Sequence, residues 1–370
     1  MDGKAIHPAK QIPFRSAGKR DKPCRAINIA LQGGGAHGAF TWGVLDRLFE
    51  DDRLWIEAIT GTSAGAMNAV VAAMGMRENG ADGARERLRQ FWKAVSELGH
   101  SSPIQRSWLA KLKGEWSLSD SPSFLFFDIL SRLASPYDLN VMDYNPLRDL
   151  VREFVDFGKV SACQDMGLFL SATDVKTGRV RIFARQEIDL DAVMASACLP
   201  TLFKAVEKDG HHYWDGGYMG NPPLFPFFKN SPSDDILIVQ INPVYQDYVP
   251  VSAFEIQNRV NEITFNSSLL HELRAIDFVS RLLEAGKLDP AEYRSMKVHM
   301  IHAGEGMRHL DASSKLNAEW SFLEHLFEIG RETTDAWLAE NFDALGKRSS
   351  LDLRQMFDQN AVAPTSFGPL

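Results

Sequence analysis

Cysteine is scarce in this sequence: three residues, Cys24, Cys163 and Cys198, in a chain of 370. An odd number at wide spacing supplies neither a disulfide framework nor a zinc ligand set, so reduced thiols in a cytoplasmic protein are the expectation. No run of about 18 or more apolar residues is present, which argues against a membrane-spanning helix. The first two dozen residues carry Lys4, Lys10, Arg15, Lys19, Arg20 and Lys22 without an apolar stretch, so they do not read as a secretory signal. A flexible basic terminus over residues 1–24 is expected, and it is a candidate for contact with anionic lipid headgroups. An excess of positive charge is also missing. Forty basic against 48 acidic residues give a net charge of −8, which argues against wholesale nucleic-acid binding. There is no His-Glu-x-x-His or other paired-ligand spacing, so no metal is expected.

What remains is the composition of an ordinary globular protein, 45% hydrophobic and 24% charged, long enough to bury a large core. Buried strands are predicted at Ala26–Leu31, Trp55–Thr60, Leu168–Thr173, Val180–Phe183, Ile236–Ile241 and Lys297–Ile301. Helical patterns follow the first two strands, one over Phe40, Val44, Leu45 and Leu48, the other over Ala66–Met76, and an amphipathic helix covers 81–98. Longer helices are predicted over Ala253–Ala285 and Ala318–Asn341. Strands alternating with helices imply an α/β fold, a three-layer α/β/α sandwich on a mostly parallel sheet, with Thr177-Gly178 marking one hairpin. The organisation expected is a catalytic domain over 25–245, with 99–143 as a helical cap or insertion. A C-terminal helical region over 246–346 packs on it, and a loosely held tail runs from 347 to 370.

Two glycine-rich turns carry the chemical signal. Gly61-Thr62-Ser63-Ala64-Gly65 sits between a strand and a helix, the context in which Gly-x-Ser-x-Gly exposes a serine hydroxyl on a sharp turn. Flanking glycines remove the Cβ clashes of such a turn, and the helix beginning there adds partial positive charge. A serine that simply caps the helix is the competing reading. Gly33-Gly34-Gly35-Ala36-His37-Gly38 follows the first strand, where consecutive glycines can converge their amides on an anionic oxygen. The same residues match the dinucleotide-binding pattern G-x-G-x-x-G. That reading also requires an acidic residue at the end of the next strand, and Glu50, Asp51 and Asp52 lie before it. A third segment, Trp214-Asp215-Gly216-Gly217, would in isolation be an ordinary turn.

In this order the three segments closely resemble the patatin-like phospholipases. Ala195-Ser196-Ala197-Cys198-Leu199-Pro200 and Asn221-Pro222 strengthen the likeness, which runs from about Ile27 to Pro223. The resemblance implies a lipid acyl hydrolase of phospholipase A, lysophospholipase or esterase type, needing no cofactor or metal. Ser63 would be the nucleophile and Asp215 its only carboxylate partner. Gly33, Gly34 and Gly35 would form the oxyanion hole, with Gly61, Gly65, Gly216 and Gly217 in support. One departure is visible: the family usually carries Arg or Lys where this chain has His37.

A Ser–acid–His triad would need a histidine such as His271, His299 or His302 after Asp215. His271 reads more simply as helix surface, His299 and His302 as strand residues, and His211 and His212 as a turn. Two apolar runs, Ser123–Leu130 and Leu224–Phe228, are candidates for a channel holding the acyl chain or for a face touching membrane. Leu224, Phe225 and Phe227 are the preferred lining. Ordinary core packing is the alternative for both. The partners implied are a lipid or acyl-ester substrate and peripheral membrane contact. A catalytically silent relative that binds lipid or protein is the other function to weigh.

Overall fold

The structure, a computed structural model, describes residues 24–100, 105–107, 110, 114–119, 121, 123, 134–246, 248–308 and 310–357. The basic terminus over 1–23 and the apolar segment 124–130 lie outside these residues.

Eight strands form one mixed sheet. They are β1 Arg25–Leu31, β2 Leu54–Gly61, β3 Gly167–Asp174, β4 Val180–Ala184, β5 Val206–Lys208, β6 His211–Asp215, β7 Asp235–Gln240 and β8 Lys297–His302. The spatial order is β5-β6-β3-β2-β1-β7-β8, with β4 also on β3. The pairings from β3 through β8 are parallel, whereas β4, β5 and β6 pair antiparallel. The main helices are α1 Gly38–Glu50, α2 Ala64–His100, α3 Pro146–Phe154, α4 Phe157–Ala162, α5 Leu190–Ser196, α6 Phe225–Asn230, α7 Ala253–Glu284, α8 Trp320–Asn341 and α9 Leu353–Phe357.

Alternation along the strands builds two cores, because successive side chains point to opposite faces. Ile27, Ile29 and Leu31 of β1, with Leu237 and Val239 of β7, join the core shared with α1, α2 and α8. Ala30, Ile236 and Ile238 face the other way, onto α6, α7 and α9. Helices thus cover both faces, giving the three-layer α/β/α sandwich that the alternating elements predict. In the first layer α1 and α8 cross at glycines: a Cβ on Gly43 would run into the Phe327 carbonyl, and one on Gly330 into that of Phe40. The predicted helices over 66–76 and 81–98 are the two arms of α2, which breaks at Asn79 and Gly80, where φ is +60°.

Part of the tail read as loosely held is packed. Leu351 and Leu353 are buried, and the Leu351 amide donates to the Val298 carbonyl at 3.1 Å. Small polar residues made this stretch look like a frayed end, yet they bond to β8: Ser349 Oγ accepts from the Val298 amide at 3.0 Å.

One pairing places the chemistry. Phe169 and Leu170 of β3 pair with β2 on one edge and with β4 on the other. Beyond the end of β2, Ala172 and Thr173 pair with β4 and with β6. So β6 takes over the edge that β2 leaves, and it runs back toward it. Gly61 ends β2 opposite Leu170 and Asp215 ends β6 opposite Ala172, two residues along β3 or about 7 Å by strand rise. Residues 61 and 215 meet almost end to end although 154 positions separate them.

Candidate active site

Ser63 follows β2 with φ of 54°, in the left-handed region that non-glycine residues seldom occupy. The strain is held by what surrounds it. The Ser63 amide donates to Ser196 Oγ at 2.9 Å, and its carbonyl accepts from the Met67 amide at 3.1 Å. Both flanking glycines are sterically required: a Cβ on Gly61 would lie 2.6 Å from the Gly65 carbonyl oxygen, and one on Gly65 would strike the Leu31 carbonyl. Thr62 Oγ1 bonds Ser171 Oγ at 2.7 Å and the Gly220 carbonyl at 2.6 Å, tying the turn to the loop after β6. The hydroxyl of Ser63 stands at the amino end of α2, where the helix dipole favours negative charge.

Asp215 is 1% exposed. Its amide donates to the Cys198 carbonyl at 2.8 Å, and its carbonyl accepts from Thr173 Oγ1 at 2.8 Å. The carboxylate takes the Gly217 amide at 2.7 Å, and the Ser63 hydroxyl lies near enough to lower its pKa. Burial pushes its pKa up to about 7, against the smaller lowering from those two donors. Gly216 is needed because any Cβ there would collide with Ser171. Cys198, beside Asp215, is buried and its thiol is pushed up to about 12, chiefly by burial, so it stays protonated.

The glycine loop lies against Ser63: a Cβ on Gly33 would be 2.8 Å from Ser63 Cβ. Its amides are not equivalent, and here the expectation for Gly33 needs correction. The Gly33 N–H donates to Asn221 Oδ1 at 2.8 Å, so it is already occupied. The Gly34 and Gly35 amides have no acceptor among the described residues. Gly35 has φ of +59° and packs against the Lys315 carbonyl. His37 is buried, with Nε2 2.8 Å from Ser314 Oγ, and burial together with the nearby Lys315 holds its pKa well below the usual value. It is a neutral residue, not a cation.

The channel residues are elsewhere than expected. Leu224 and Phe227 are fully buried in the core against α7, and Phe225 is 43% exposed on the surface. Leu224–Phe228 mostly forms α6, a short helix whose inner face completes that core. None of the three lines the 860 Å³ cavity beside Cys198, whose wall includes Tyr137, Met142, Tyr144, Met194 and Phe203.

His299 is fully buried, bonded through Nε2 to Asp235 Oδ1 and through Nδ1 to Ser350 Oγ, both at 3.0 Å. Asp235 begins β7, so this chain lies toward the opposite edge of the sheet from Ser63. His271 is exposed on α7. His211 and His212 begin β6 rather than a turn; the turn is Asp209-Gly210, both with positive φ. That Asp-Gly pair is a hairpin signal the sequence does contain.

Three supporting side chains were not singled out from the sequence. Asn221 fixes Gly33, and Ser196 fixes Ser63. Gln32 ties the carboxyl end of β1 to Ile241, Asn242 and Asn266. Ser196 and Asn221 lie in segments that carry the family likeness, but their contacts are set by folding. No metal-binding group of three or more His, Cys, Asp or Glu side chains occurs among the described residues. No helix among them is long and apolar enough to cross a membrane.

Residues 29–228 match the patatin-like phospholipase family, more than half of the chain, and the protein belongs to that family. No curated protein matches the chain. Among solved structures it is similar to VipD from Legionella pneumophila, at 14% identity and a TM-score of 0.39, covering 85% of this chain and 67% of VipD. It is also similar to the type III effector ExoU, at 16% identity and a TM-score of 0.35, covering 86% of this chain and 54% of ExoU. ExoU from Pseudomonas aeruginosa is also seen in complex with SpcU, at 14% identity and a TM-score of 0.29, with 85% of this chain and 53% of that one covered. The chain thus spans about half the length of ExoU.

Proposed function

We propose that the protein hydrolyses carboxylic esters of lipids through a Ser63–Asp215 dyad and an acyl-enzyme. The observation that carries this reading is the strained Ser63 turn, just past the end of β2, set against the buried Asp215 at the end of β6, a carboxyl that burial pushes up to about 7. A general base works best when its pKa lies near the working pH. At neutral pH the carboxylate takes the proton of Ser63 as Oγ attacks the ester carbonyl. The same proton then goes to the departing alcohol, and water attacks the acyl-enzyme with Asp215 again as base. The Gly34 and Gly35 amides and the amino end of α2 are the groups that would stabilise the oxyanion; losing one such donor typically costs about 10²–10³ in rate.

Lipid contact has its own support. Val249 and Val251 are 82% and 85% exposed, and Ile256, Val260 and Ile263 continue as an exposed stripe along α7. Such a stripe suits peripheral docking on a membrane.

A fluorophosphonate probe tests the nucleophile. Wild type should label and Ser63→Ala should not, with product analysis on a mixed lipid extract reporting which ester is cut. Absence of labelling in the presence of lipid would favour a catalytically silent, lipid-binding role.

A further inference from the structure

On the far side of the glycine loop from Ser63 lies a cavity of about 380 Å³, at the carboxyl edge of β7 and β8. Its walls include Gln240, Asn242, Gln246, Glu262, Lys315 and His37; neither Ser63 nor Asp215 belongs to them. Its size falls at the small end of ordinary ligand sites.

The acids around the cavity are already engaged. Glu262 accepts from Gln246 Nε2 at 2.9 Å and Arg259 Nη1 at 3.0 Å. Asp311 accepts from Ser117 Oγ at 2.6 Å, Ser313 Oγ at 2.7 Å and the Ser314 amide at 3.0 Å. Glu255 accepts from the Val251 and Ser252 amides at 3.2 and 2.9 Å. The donors are less well matched. Gln240 is 4% exposed and its Nε2 has no partner. Among the described residues the hydrogen-bond partner of Lys315 Nζ is a neutral amide oxygen, Asn242 Oδ1, at 2.7 Å, although an ammonium carries three N–H groups; Glu262 and Asp311 are nearby charges, while burial lowers its pKa. Gln246 Oε1 is a buried acceptor without a donor. Buried polar groups nearly always find partners, so an unmatched donor in the same cavity wall as a cation with spare N–H groups marks a place for an acceptor.

We propose that this cavity binds a small molecule carrying a carboxylate or phosphate, its oxyanion held by Lys315 and Gln240 and a hydroxyl of the same molecule donated to Gln246. The site is separate from the ester site and independent of whether Ser63 is a nucleophile. Its occupant would bear on the glycine loop all the same. Asn242 bonds Lys315 on one side and donates through Nδ2 to the Gly33 carbonyl at 2.9 Å on the other. Ile241, also in the wall, presses Cγ2 to within 2.6 Å of where a Gly34 Cβ would sit.

The test is calorimetric titration of the full chain, carried out in the Ser63→Ala background so that ester chemistry plays no part. Inorganic phosphate, glycerol phosphate and acetate are the three probes. They separate free phosphate, a headgroup-like phosphate ester and a carboxylate. Saturable binding of at least one probe is expected, weakened tenfold or more by Gln240→Glu, which puts an acceptor and a negative charge where the donor stood, and by Lys315→Met. Should either variant fail to fold by circular dichroism, Gln240→Leu removes the donor without adding charge. No saturable heat with any probe at concentrations on the order of 10 mM would overturn the proposal. So would binding that the folded variants leave unchanged.

Discussion

Replacing Asp215 with asparagine should stabilise the protein above neutral pH and do little at pH 4. The carboxyl is pushed from its ordinary 3.8 to about 7 by burial. Below pH 3.8 both folded and unfolded chains hold the proton, and the ionisation contributes nothing. Between 3.8 and 7 the folded state keeps a proton that the unfolded state has lost, so stability falls by about 1.4 kcal/mol per pH unit. Above 7 both states are ionised and the loss levels off, at about 4 kcal/mol for a shift of this size. Asparagine has the same shape and no charge. Its Oδ1 still accepts the Gly217 amide, and its Nδ2 faces the Ser63 oxygen. The assay is urea unfolding of both proteins at pH 5, 6, 7 and 8. Glu272 complicates the wild-type curve, because burial raises it to about 7 as well, against the Leu224 and Phe225 amides it caps. It is common to both proteins, so the difference isolates Asp215. A difference that stays flat from pH 5 to 8 would refute the claim that Asp215 ionises at a high pH at the expense of the fold.

Other outcomes follow from the same geometry. Turnover of a neutral ester should rise with pH through about 7 and then plateau, because the base must be ionised; an activity limb near pH 4 would mean that Asp215 is not the base. Gly33→Ala places a Cβ 2.8 Å from Ser63 Cβ and 2.9 Å from the Thr62 carbonyl oxygen, so turnover should fall by about 10² or more with the fold retained, measured by ester hydrolysis and circular dichroism. His299→Leu leaves the buried Asp235 with only the Gly346 amide and should cost about 3 kcal/mol in urea unfolding, while turnover per folded molecule is unaffected. His271→Ala should leave turnover unchanged, and a collapse would revive a triad.

The strands with uninterrupted apolar runs were legible because burial on both faces leaves a simple pattern, and so were the two glycine turns between strand and helix. The β5–β6 hairpin was not. Its strands are short and polar, Val206-Glu207-Lys208 and His211–Asp215, and only the Asp209-Gly210 turn announces it. That omission hid the geometry that matters most, the exchange of β2 for β6 along one edge of β3. The apolar run Leu224–Phe228 misled for a related reason. Its composition suits a channel as well as a core, and only the position of α7 above it decides that Leu224 and Phe227 face inward. Asn221 shows a third limit. Its neighbour Pro222 and the family likeness mark the segment, but nothing local reveals that the Asn221 side chain occupies the Gly33 amide 188 positions away.

A serine with a single carboxylate must make up for the weak basicity of an ordinary aspartate. At pH 7 a carboxylate with pKa 3.8 is about 10³-fold less basic than one near 7. The difference here comes from exclusion of water: Asp215 is walled by β3, by the Cys198 segment and by the Gly216–Tyr218 turn, and among the described residues the Gly217 amide is the one backbone donor bonded to its carboxylate. Any change that admits water without moving Ser63 should therefore lower the pH at which turnover rises and reduce its plateau together. Thr173→Ala removes the hydroxyl that holds the Asp215 carbonyl and touches neither reacting group, which makes it the variant to examine. A fall in rate without a shift of the pH limb would mean that the hydroxyl positions Asp215 and leaves its solvation unchanged.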